Sequence, residues 1–124
     1  MAEFRFDGRV AVITGAGRGL GRAYALLLAS RGARVVVNDP GVTRTGDSPD
    51  ASPAEEVVRE IRAAGGEACH SLDSVATPEG GKAIVDAALA RFGRIDILVN
   101  NAGMARRVPF AEMTQDDFDA VLDV

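Results

Sequence analysis

Short runs of apolar residues alternate along the chain with longer segments whose apolar residues recur at helical spacing. The short runs consist mainly of Val, Ile and Leu without polar alternation, which is typical of strands in a parallel sheet that is covered on both faces. This pattern predicts four strands, at Val10–Thr14, Arg34–Asn38, Glu67–Leu72 and Ile95–Val99. The segments between them predict helices, over Gly19–Ser30, from Ser52 to Gly65, from Thr77 to about Phe92 and from Thr114 onward.

The alternating order of strands and helices predicts an α/β fold, a doubly wound parallel sheet of the Rossmann type with right-handed crossovers and about four strands. Capping residues support the helix ends. Gly32 is placed to end the first helix, and Ser52 with Glu55 forms a capping-box pattern at the start of the second. The connection from Asp39 to Ala51 exceeds the about two to six residues usual between a strand and a helix, and such long loops are often functional.

Composition and charge exclude several classes of function. The 124 residues are 47% hydrophobic, which suits one small domain with a buried core, and the formal net charge is -4. A net negative chain is unsuited to nucleic acid or to an anionic membrane surface, so neither is an expected partner. No apolar run approaches the roughly 18 residues of a membrane span, and the first residues lack the pattern of a secretory signal. Cys69 is the only cysteine, which fits a reducing compartment and predicts a cytoplasmic protein in which this thiol packs as a small apolar group.

A glycine-rich turn directly follows the first predicted strand. Gly15, Gly19 and Gly21 fit the spacing Gly-x-x-x-Gly-x-Gly, whereas the spacing Gly-x-Gly-x-x-Gly is not met. Gly15 would allow the turn out of the strand, Gly19 would let a phosphate approach the backbone, and Gly21 would let the helix pack on the sheet. A strand, a glycine turn and a helix N-terminus in this order can hold the phosphates of a dinucleotide. The alternative is an ordinary tight turn that binds nothing.

Asp39 and Arg18 bear on which dinucleotide would bind. Asp39 lies at the predicted end of the second strand, where a carboxylate can accept hydrogen bonds from the ribose hydroxyls of NAD and repel the 2′-phosphate of NADP. Arg18 points to NADP instead, because a guanidinium in the turn could pair with that phosphate. A carboxylate held at a strand end faces the ribose more directly than a flexible arginine does. We therefore expect NAD as the cofactor, with NADP as the alternative.

With these residues in place, Asp73 after the third strand and Asn100-Asn101-Ala102-Gly103 after the fourth resemble the short-chain dehydrogenase/reductase family over essentially the whole chain. The resemblance implies that Asp73 contacts adenine and that the backbone at Ser74 and Val75 lines the adenine pocket. It also implies that the Asn-Asn-Ala-Gly turn supports the sheet and touches the nicotinamide ribose, although such a turn could serve the backbone alone. The expected cofactor-binding residues are Gly15, Arg18, Gly19, Leu20, Gly21, Asp39, Asp73, Ser74, Val75, Asn101, Ala102 and Gly103.

A narrower resemblance is to the (3R)-hydroxyacyl-CoA dehydrogenase domains of type 2 peroxisomal multifunctional enzymes and their bacterial relatives. The segments that carry it are Phe6–Val10, Gly19–Ala25, Val35–Asp39 and Asp73–Val75. It implies an oxidoreductase that interconverts a secondary alcohol and a ketone of a small-molecule substrate, with a 3-hydroxyacyl-CoA as the expected example. Pro40-Gly41-Val42-Thr43 replaces the glycine-rich stretch usual in that group, a departure that bears on the substrate more than on the cofactor.

The residues that perform chemistry in the family have no counterpart in this chain. The resemblance calls for a Tyr with a Lys shortly after it, a Ser and an Asn in the fourth helix, but the only tyrosine, Tyr24, lies on the first helix with Leu28 four residues later. We predict no catalytic residue and no metal ligand set. Residues 1–124 are interpreted as the N-terminal dinucleotide-binding part of a single Rossmann domain, a fragment whose catalytic C-terminal half lies outside the sequence.

The family strand order would place the fourth strand inside a larger sheet, so ending the chain here would leave Ile97-Leu98-Val99 on an open apolar edge. This predicts association with the missing C-terminal half, and the family also implies a homo-oligomer. Two other functions stay open. One is a non-catalytic dinucleotide-binding module or truncated pseudo-enzyme. The other is a methyltransferase that binds S-adenosylmethionine, against which the three-glycine spacing and the Asn-Asn-Ala-Gly turn argue.

Overall fold

The computed structural model describes residues 4–41, 52–104 and 107–124, and within them the chain forms one parallel sheet with helices on both faces. The strands are β1 (Val10–Thr14), β2 (Arg34–Asn38), β3 (Ala68–Ser71) and β4 (Ile97–Val99). The helices are α1 (Gly19–Ser30), α2 (Ser52–Ala63), α3 (Pro78–Phe92) and α4 (Gln115–Leu122), with a 3₁₀ turn at Phe110–Glu112. The sheet order is β3-β2-β1-β4. The predicted doubly wound α/β class is confirmed.

The apolar runs of β1 and β2 are buried because helices cover both faces of the sheet. On one face, Ile13, Val35 and Val37 pack against side chains of α1 and α2. On the other face, Val12 and Val36 pack against α3. β1 pairs with β2 on one side and with β4 on the other, and all five of its residues are buried. The carboxyl ends of these parallel strands therefore meet at one edge of the sheet, where the loops into the helices begin.

Capping interactions fix the starts of α3 and α4 where the sequence predicts them. The Thr77 hydroxyl accepts a hydrogen bond from the Gly80 N–H at 3.0 Å, ahead of a proline in the first turn of α3. The Thr114 hydroxyl accepts from the Asp117 N–H at 3.1 Å while the Asp117 carboxylate accepts from the Thr114 N–H at 3.1 Å, which is a complete capping box. The side chain of Ser52, and with it the capping box predicted for α2, lies outside the described part of the chain.

The strands at the two edges of the sheet are shorter than the sequence predicts. β3 lacks one predicted residue at each end, and β4 begins two residues later, at Ile97. Ahead of β4, Asp96 forms two hydrogen bonds with the first residue of β1. Its N–H donates to the Val10 carbonyl at 2.9 Å, and its Oδ2 accepts from the Val10 N–H at 2.9 Å. Among the described residues, β4 is the last strand on one side of the sheet, and its Leu98 side chain is 56% exposed.

Cys69 lies half-buried on β3 beside the apolar cluster that packs against α3. Burial raises the pKa of its thiol, and the nearby Arg91 and Arg62 only partly oppose that rise. The thiol is therefore poorly suited to act as a nucleophile, in agreement with its expected packing role. None of the helices in the described ranges is long and apolar enough to cross a membrane. In those same ranges, no group of acidic, histidine or cysteine side chains is arranged to hold a metal ion.

Candidate functional site

The turn between β1 and α1 has the backbone shape of an anion cradle. Gly15 has φ +64° and Gly19 has φ +59°, both in the left-handed region that side chains rarely adopt. Arg18 is the extended N-cap residue of α1, and its side chain forms no cap hydrogen bond. The first N–H groups of an α-helix have no partner within the helix, and the first turn of α1 carries no acidic side chain. The positive end of the helix is therefore available to a phosphate.

Close packing holds this turn against the sheet. A Cβ on Gly21 would meet the Gly15 carbonyl oxygen, and it would lie 2.9 Å from Ala16 Cα and 2.5 Å from Asn101 Nδ2. A Cβ on Gly15 would lie 2.9 Å from Ala102 Cα. In contrast, a Cβ on Gly19 would meet nothing within 4 Å, so this glycine faces open space. The structure thus has close packing at Gly21 and open space at Gly19, while the approach of a phosphate to Gly19 stays a prediction.

Asn101 braces the turn through hydrogen bonds to two carbonyl oxygens. Its Nδ2 donates to Thr14 O at 3.1 Å and to Gly15 O at 3.2 Å. The backbone N–H groups of Asn101 and Ala102 both donate to Thr14 Oγ1 at 3.0 Å. Thr14 has this role although sequence reasoning assigned it none, and its only signal was a hydroxyl at the end of an otherwise apolar strand. The Asn101 side chain thus acts on the protein backbone, and Gly103 beyond it is exposed.

Asp39 lies beside the glycine turn, as expected for a carboxylate at the end of β2. Its Oδ2 accepts from the Gly17 N–H at 3.1 Å, and its Oδ1 accepts from the Gly41 N–H at 2.8 Å. Each carboxylate oxygen keeps a second acceptor position, so the group can still receive hydrogen bonds from a ligand. The sequence analysis predicts a phosphate-binding backbone from Gly15 to Gly21 but no contact of Gly17 with Asp39. The signal for that contact would have been a fourth glycine in the turn that the three-glycine spacing does not require.

Asn38 connects the glycine turn to the loop after β3. It is fully buried, and its carbonyl oxygen accepts from the Ala16 N–H at 2.9 Å. Its Nδ2 donates to Ser71 O at 3.2 Å and to Asp73 O at 2.9 Å. Its Oδ1 is buried with no hydrogen-bond partner in the described part of the chain. The sequence analysis gives the Asn38 side chain no role of its own, although a polar side chain after three valines was the available signal.

The predicted adenine segment is held partly by its own side chains. The Ser71 hydroxyl donates to Asp73 Oδ2 at 2.9 Å. The Ser74 hydroxyl accepts from the Ala76 N–H at 3.1 Å, and Val75 packs against the apolar cluster beneath α3. The Val75 side chain therefore anchors the loop, and the Ser74 backbone packs against Gly80 of α3. Leu20, in the first turn of α1, is 67% exposed at the open end of the site.

The architecture and the glycine turn together define a doubly wound α/β protein of the Rossmann type. Residues 9–124 match the family model described as short chain dehydrogenase, and the chain belongs to that family. The family resemblance stated from the sequence is confirmed.

Two relatives show which members of the family the chain is similar to. Peroxisomal multifunctional enzyme type 2 of Drosophila melanogaster is 52% identical over 122 residues, which cover 98% of this chain and 20% of that protein. Peroxisomal hydratase-dehydrogenase-epimerase of Neurospora crassa is 51% identical over 125 residues, which cover 100% of this chain and 14% of that protein. The narrower resemblance is confirmed as well, and the chain spans no more than about 20% of these relatives.

Solved structures give the same result. A short chain dehydrogenase from Mycobacterium avium is 49% identical with a TM-score of 0.87, covering 95% of this chain and 42% of that one. A 7α-hydroxysteroid dehydrogenase complexed with NADH and 7-oxo glycochenodeoxycholic acid is 38% identical with a TM-score of 0.85, covering 97% of this chain and 43% of that one. The fold of the present chain therefore corresponds to less than half of each solved chain.

Proposed function

We propose that this chain binds NAD and forms the cofactor-holding part of an oxidoreductase that interconverts a secondary alcohol and a ketone. The observation that carries the proposal is the Asp39 carboxylate, which lies against the glycine turn at the open N-terminus of α1. A phosphate cradle and a carboxylate beside it are the two features that a dinucleotide requires from such a fold. The solved 7α-hydroxysteroid dehydrogenase complexed with NADH is consistent with this ligand class.

The pyrophosphate would lie at the first turn of α1. Gly15 and Gly19 adopt left-handed backbone conformations. Because glycine has no side chain, the open space beside Gly19 would be left for a phosphate. No acidic side chain of the first turn of α1 opposes an anion there. The geometry thus fits the group, and the backbone N–H groups from Gly19 to Gly21 would donate to it. Arg18 at the N-cap would add positive charge.

The ribose next to adenine would be held by Asp39. The N–H groups of Gly17 and Gly41 already orient the carboxylate, so a ribose hydroxyl can donate to it without further ordering of the side chain. The same charge opposes a 2′-phosphate, which favours NAD over NADP. Arg18 is the residue that would favour NADP, and a measured preference for NADP would overturn this assignment.

The two ends of the dinucleotide would lie at the loops after β3 and β4. Asp73, Ser74 and Val75 would bound the adenine, because hydrogen bonds from Asn38 and Ser71 hold this loop near Asp39. Asn101, Ala102 and Gly103 would border the nicotinamide side. In that segment, the Asn101 side chain contributes by holding the turn, while the exposed backbone at Gly103 is the part open to a ligand.

A bound nicotinamide ring supplies the acceptor and donor of the hydride. The Tyr with its Lys, the Ser and the fourth-helix Asn that the family resemblance calls for have no counterpart in the sequence, whose only tyrosine, Tyr24, lies on α1. We therefore propose that the proton-transferring residues and the substrate pocket belong to a C-terminal half of a longer protein, in which residues 1–124 are the first part of one Rossmann domain. The relatives are consistent with this, since the chain spans only a part of each. A 3-hydroxyacyl-CoA is the proposed substrate, by similarity to the group of the two peroxisomal relatives.

The second candidate function is a non-catalytic dinucleotide-binding module. The observation in its favour is that the same four residues have no counterpart in the sequence. In either case we propose a homo-oligomer, or association with the C-terminal half, since the apolar edge at Leu98 is exposed. We propose a reducing location such as the cytoplasm. The two relatives are peroxisomal enzymes, so the peroxisome is the alternative location. Imaging of the tagged protein in cells distinguishes the two locations.

The test is calorimetric titration of the purified protein with NAD, NADP and S-adenosylmethionine. Asp39→Ala is expected to weaken NAD binding more than tenfold. The matched control is Asp86→Ala, which removes an exposed carboxylate on α3 that pairs with Lys82 at 2.7 Å and is expected to leave NAD affinity unchanged. Equal NAD affinity of Asp39→Ala and the unmodified protein would contradict the role of Asp39. Binding of S-adenosylmethionine in place of NAD would contradict the proposed function itself.

A further inference from the structure

Gly17 differs from Gly15 and Gly19 because its backbone does not require glycine. Gly15 and Gly19 have positive φ values, whereas the φ of Gly17 is not positive. What excludes a side chain at Gly17 is space. A Cβ there would lie 2.7 Å from Asp39 Oδ2 and 2.8 Å from Pro53 Cβ. Both distances are shorter than real Cβ contacts allow, so an atom at this position would force its neighbours to move.

The Asp39 carboxylate thus occupies the volume that a side chain on Gly17 would fill. The N–H of the same glycine donates to Asp39 Oδ2 at 3.1 Å, so Gly17 both leaves the space and attracts the group into it. Pro53 on α2 is buried and closes the other side of that space. The Gly41 N–H holds the second oxygen at 2.8 Å. A methyl group on Gly17 would press on both neighbours, and the carboxylate, as the end of a flexible side chain, would move further than Pro53 on α2.

We propose that Gly17 determines the preference for NAD over NADP by fixing the position of the Asp39 carboxylate. This inference rests on the proposed function, in which Asp39 receives the ribose hydroxyls. A carboxylate held in one place discriminates through both the hydrogen bonds that it accepts from a ribose and its repulsion of a 2′-phosphate. A displaced carboxylate loses both effects together. Gly17 is therefore a positioning residue that acts through Asp39 and needs no contact of its own with the dinucleotide.

The experiment compares the affinities of Gly17→Ala and the unmodified protein for NAD and NADP by calorimetry. We expect NAD affinity to fall at least tenfold while NADP affinity stays the same or rises, so that the ratio of the two association constants falls at least tenfold. The matched control is Gly81→Ala on α3, where a Cβ meets nothing within 4 Å and the backbone has no positive φ. This control is expected to leave both affinities unchanged. Equal losses of NAD and NADP affinity in Gly17→Ala would overturn the inference.

A second variant shows whether Gly17 acts through Asp39 and covers the case in which Gly17→Ala does not fold. In Asp39→Ala the carboxylate that collides with the new methyl group is gone. Adding Gly17→Ala to Asp39→Ala is expected to leave the ratio of NAD to NADP affinity unchanged, because the carboxylate that discriminates between the two is absent. The remaining contact of the methyl group with Pro53 acts on both affinities alike. A further fall of that ratio in the double variant would mean that Gly17 acts on the preference without Asp39, which contradicts the inference.

The inference and the proposed function fail in different ways. If the unmodified protein binds neither NAD nor NADP, the proposed function is wrong. If the unmodified protein prefers NAD and Gly17→Ala keeps the same preference, the inference alone is wrong and the proposed function stands.

Discussion

Asn38 Nδ2 donates a hydrogen bond to the carbonyl oxygen of Asp73 at 2.9 Å, across the ends of the neighbouring strands β2 and β3. The carbonyl oxygen of Asn38 accepts from the Ala16 N–H in the glycine turn. One fully buried residue thus joins the predicted phosphate cradle to the predicted adenine segment. Its Oδ1 has no hydrogen-bond partner in the described part of the chain, which costs stability, so the residue is better explained by the alignment of the two loops than by core packing.

Replacing Asn38 tests that alignment. Asn38→Leu removes the donors at similar volume, so the hydrogen bonds to Ser71 and Asp73 are lost. We expect the free energy of unfolding to fall by about 1–2 kcal/mol, as the loss of two hydrogen bonds predicts, measured by urea denaturation. We also expect AMP affinity to fall more than nicotinamide mononucleotide affinity, since only the adenosine end depends on the Asp73 loop. Equal losses for the two ligands would show that Asn38 supports the whole site without aligning its adenosine end.

The Asn101 brace predicts an order of stability between two substitutions. Asn101→Ala removes the hydrogen bonds to the carbonyl oxygens of Thr14 and Gly15 and is expected to cost about 1–3 kcal/mol of unfolding free energy. Asn101→Asp keeps the shape but places a carboxylate against the same two carbonyl oxygens, so it is expected to cost more than the alanine. Urea denaturation of both variants measures the difference. An aspartate variant as stable as the alanine variant would contradict the brace.

Asp96 predicts a loss of stability in acid. A hydrogen bond from Arg94, together with one from the Val10 N–H, lowers the pKa of its carboxyl below 3.8. A carboxyl with a lowered pKa in the folded state stabilises the protein above its unfolded pKa, and this contribution is lost as pH falls through the folded pKa. We expect the unfolding free energy of Asp96→Asn to fall less steeply below about pH 4 than that of the unmodified protein. The pKa of the Asp7 carboxyl is also lowered, by its hydrogen bond with Arg5. We therefore expect the unfolding free energy of Asp96→Asn to keep part of its dependence on pH.

Denaturation at several pH values checks this prediction. If the unfolding free energies of Asp96→Asn and the unmodified protein fall equally steeply with decreasing pH, the Asp96 carboxylate does not contribute to acid sensitivity.

The packing of α2 against the sheet predicts a large core effect. Ile61 is 2% exposed and belongs to the apolar cluster with Val35 and Val37. Ile61→Ala is expected to lower the unfolding free energy by about 2–5 kcal/mol, because it removes buried methylene and methyl groups and leaves a cavity. The matched control is Leu27→Ala on α1, where the side chain is 50% exposed and the loss is expected to stay below about 1 kcal/mol. Similar losses for the two variants, in thermal or urea denaturation, would contradict the assigned core.

The sequence by itself determined the elements and the class of fold. Three elements have the predicted bounds: Val10–Thr14, Gly19–Ser30 and Arg34–Asn38. Runs of apolar residues and the glycines that follow them indicate the ends of an element from nearby residues alone. The cap at Thr114 and the spacing of the glycine turn were predictable for the same reason. These signals depend on residues within a few positions of one another, and propensity and capping are local effects.

Only the tertiary structure decided which side chains hold the candidate site together. The hydrogen bonds of Asp39 to Gly17, Asn38 to Asp73 and Asn101 to Thr14 join residues that are 22, 35 and 87 positions apart. β4 begins later than predicted, next to the two hydrogen bonds between Asp96 and Val10. No pattern in the residues near Asp96 predicts these hydrogen bonds. Such contacts depend on where parallel strands end relative to one another. That relation is set by the register of the sheet and by the packing of both helical layers.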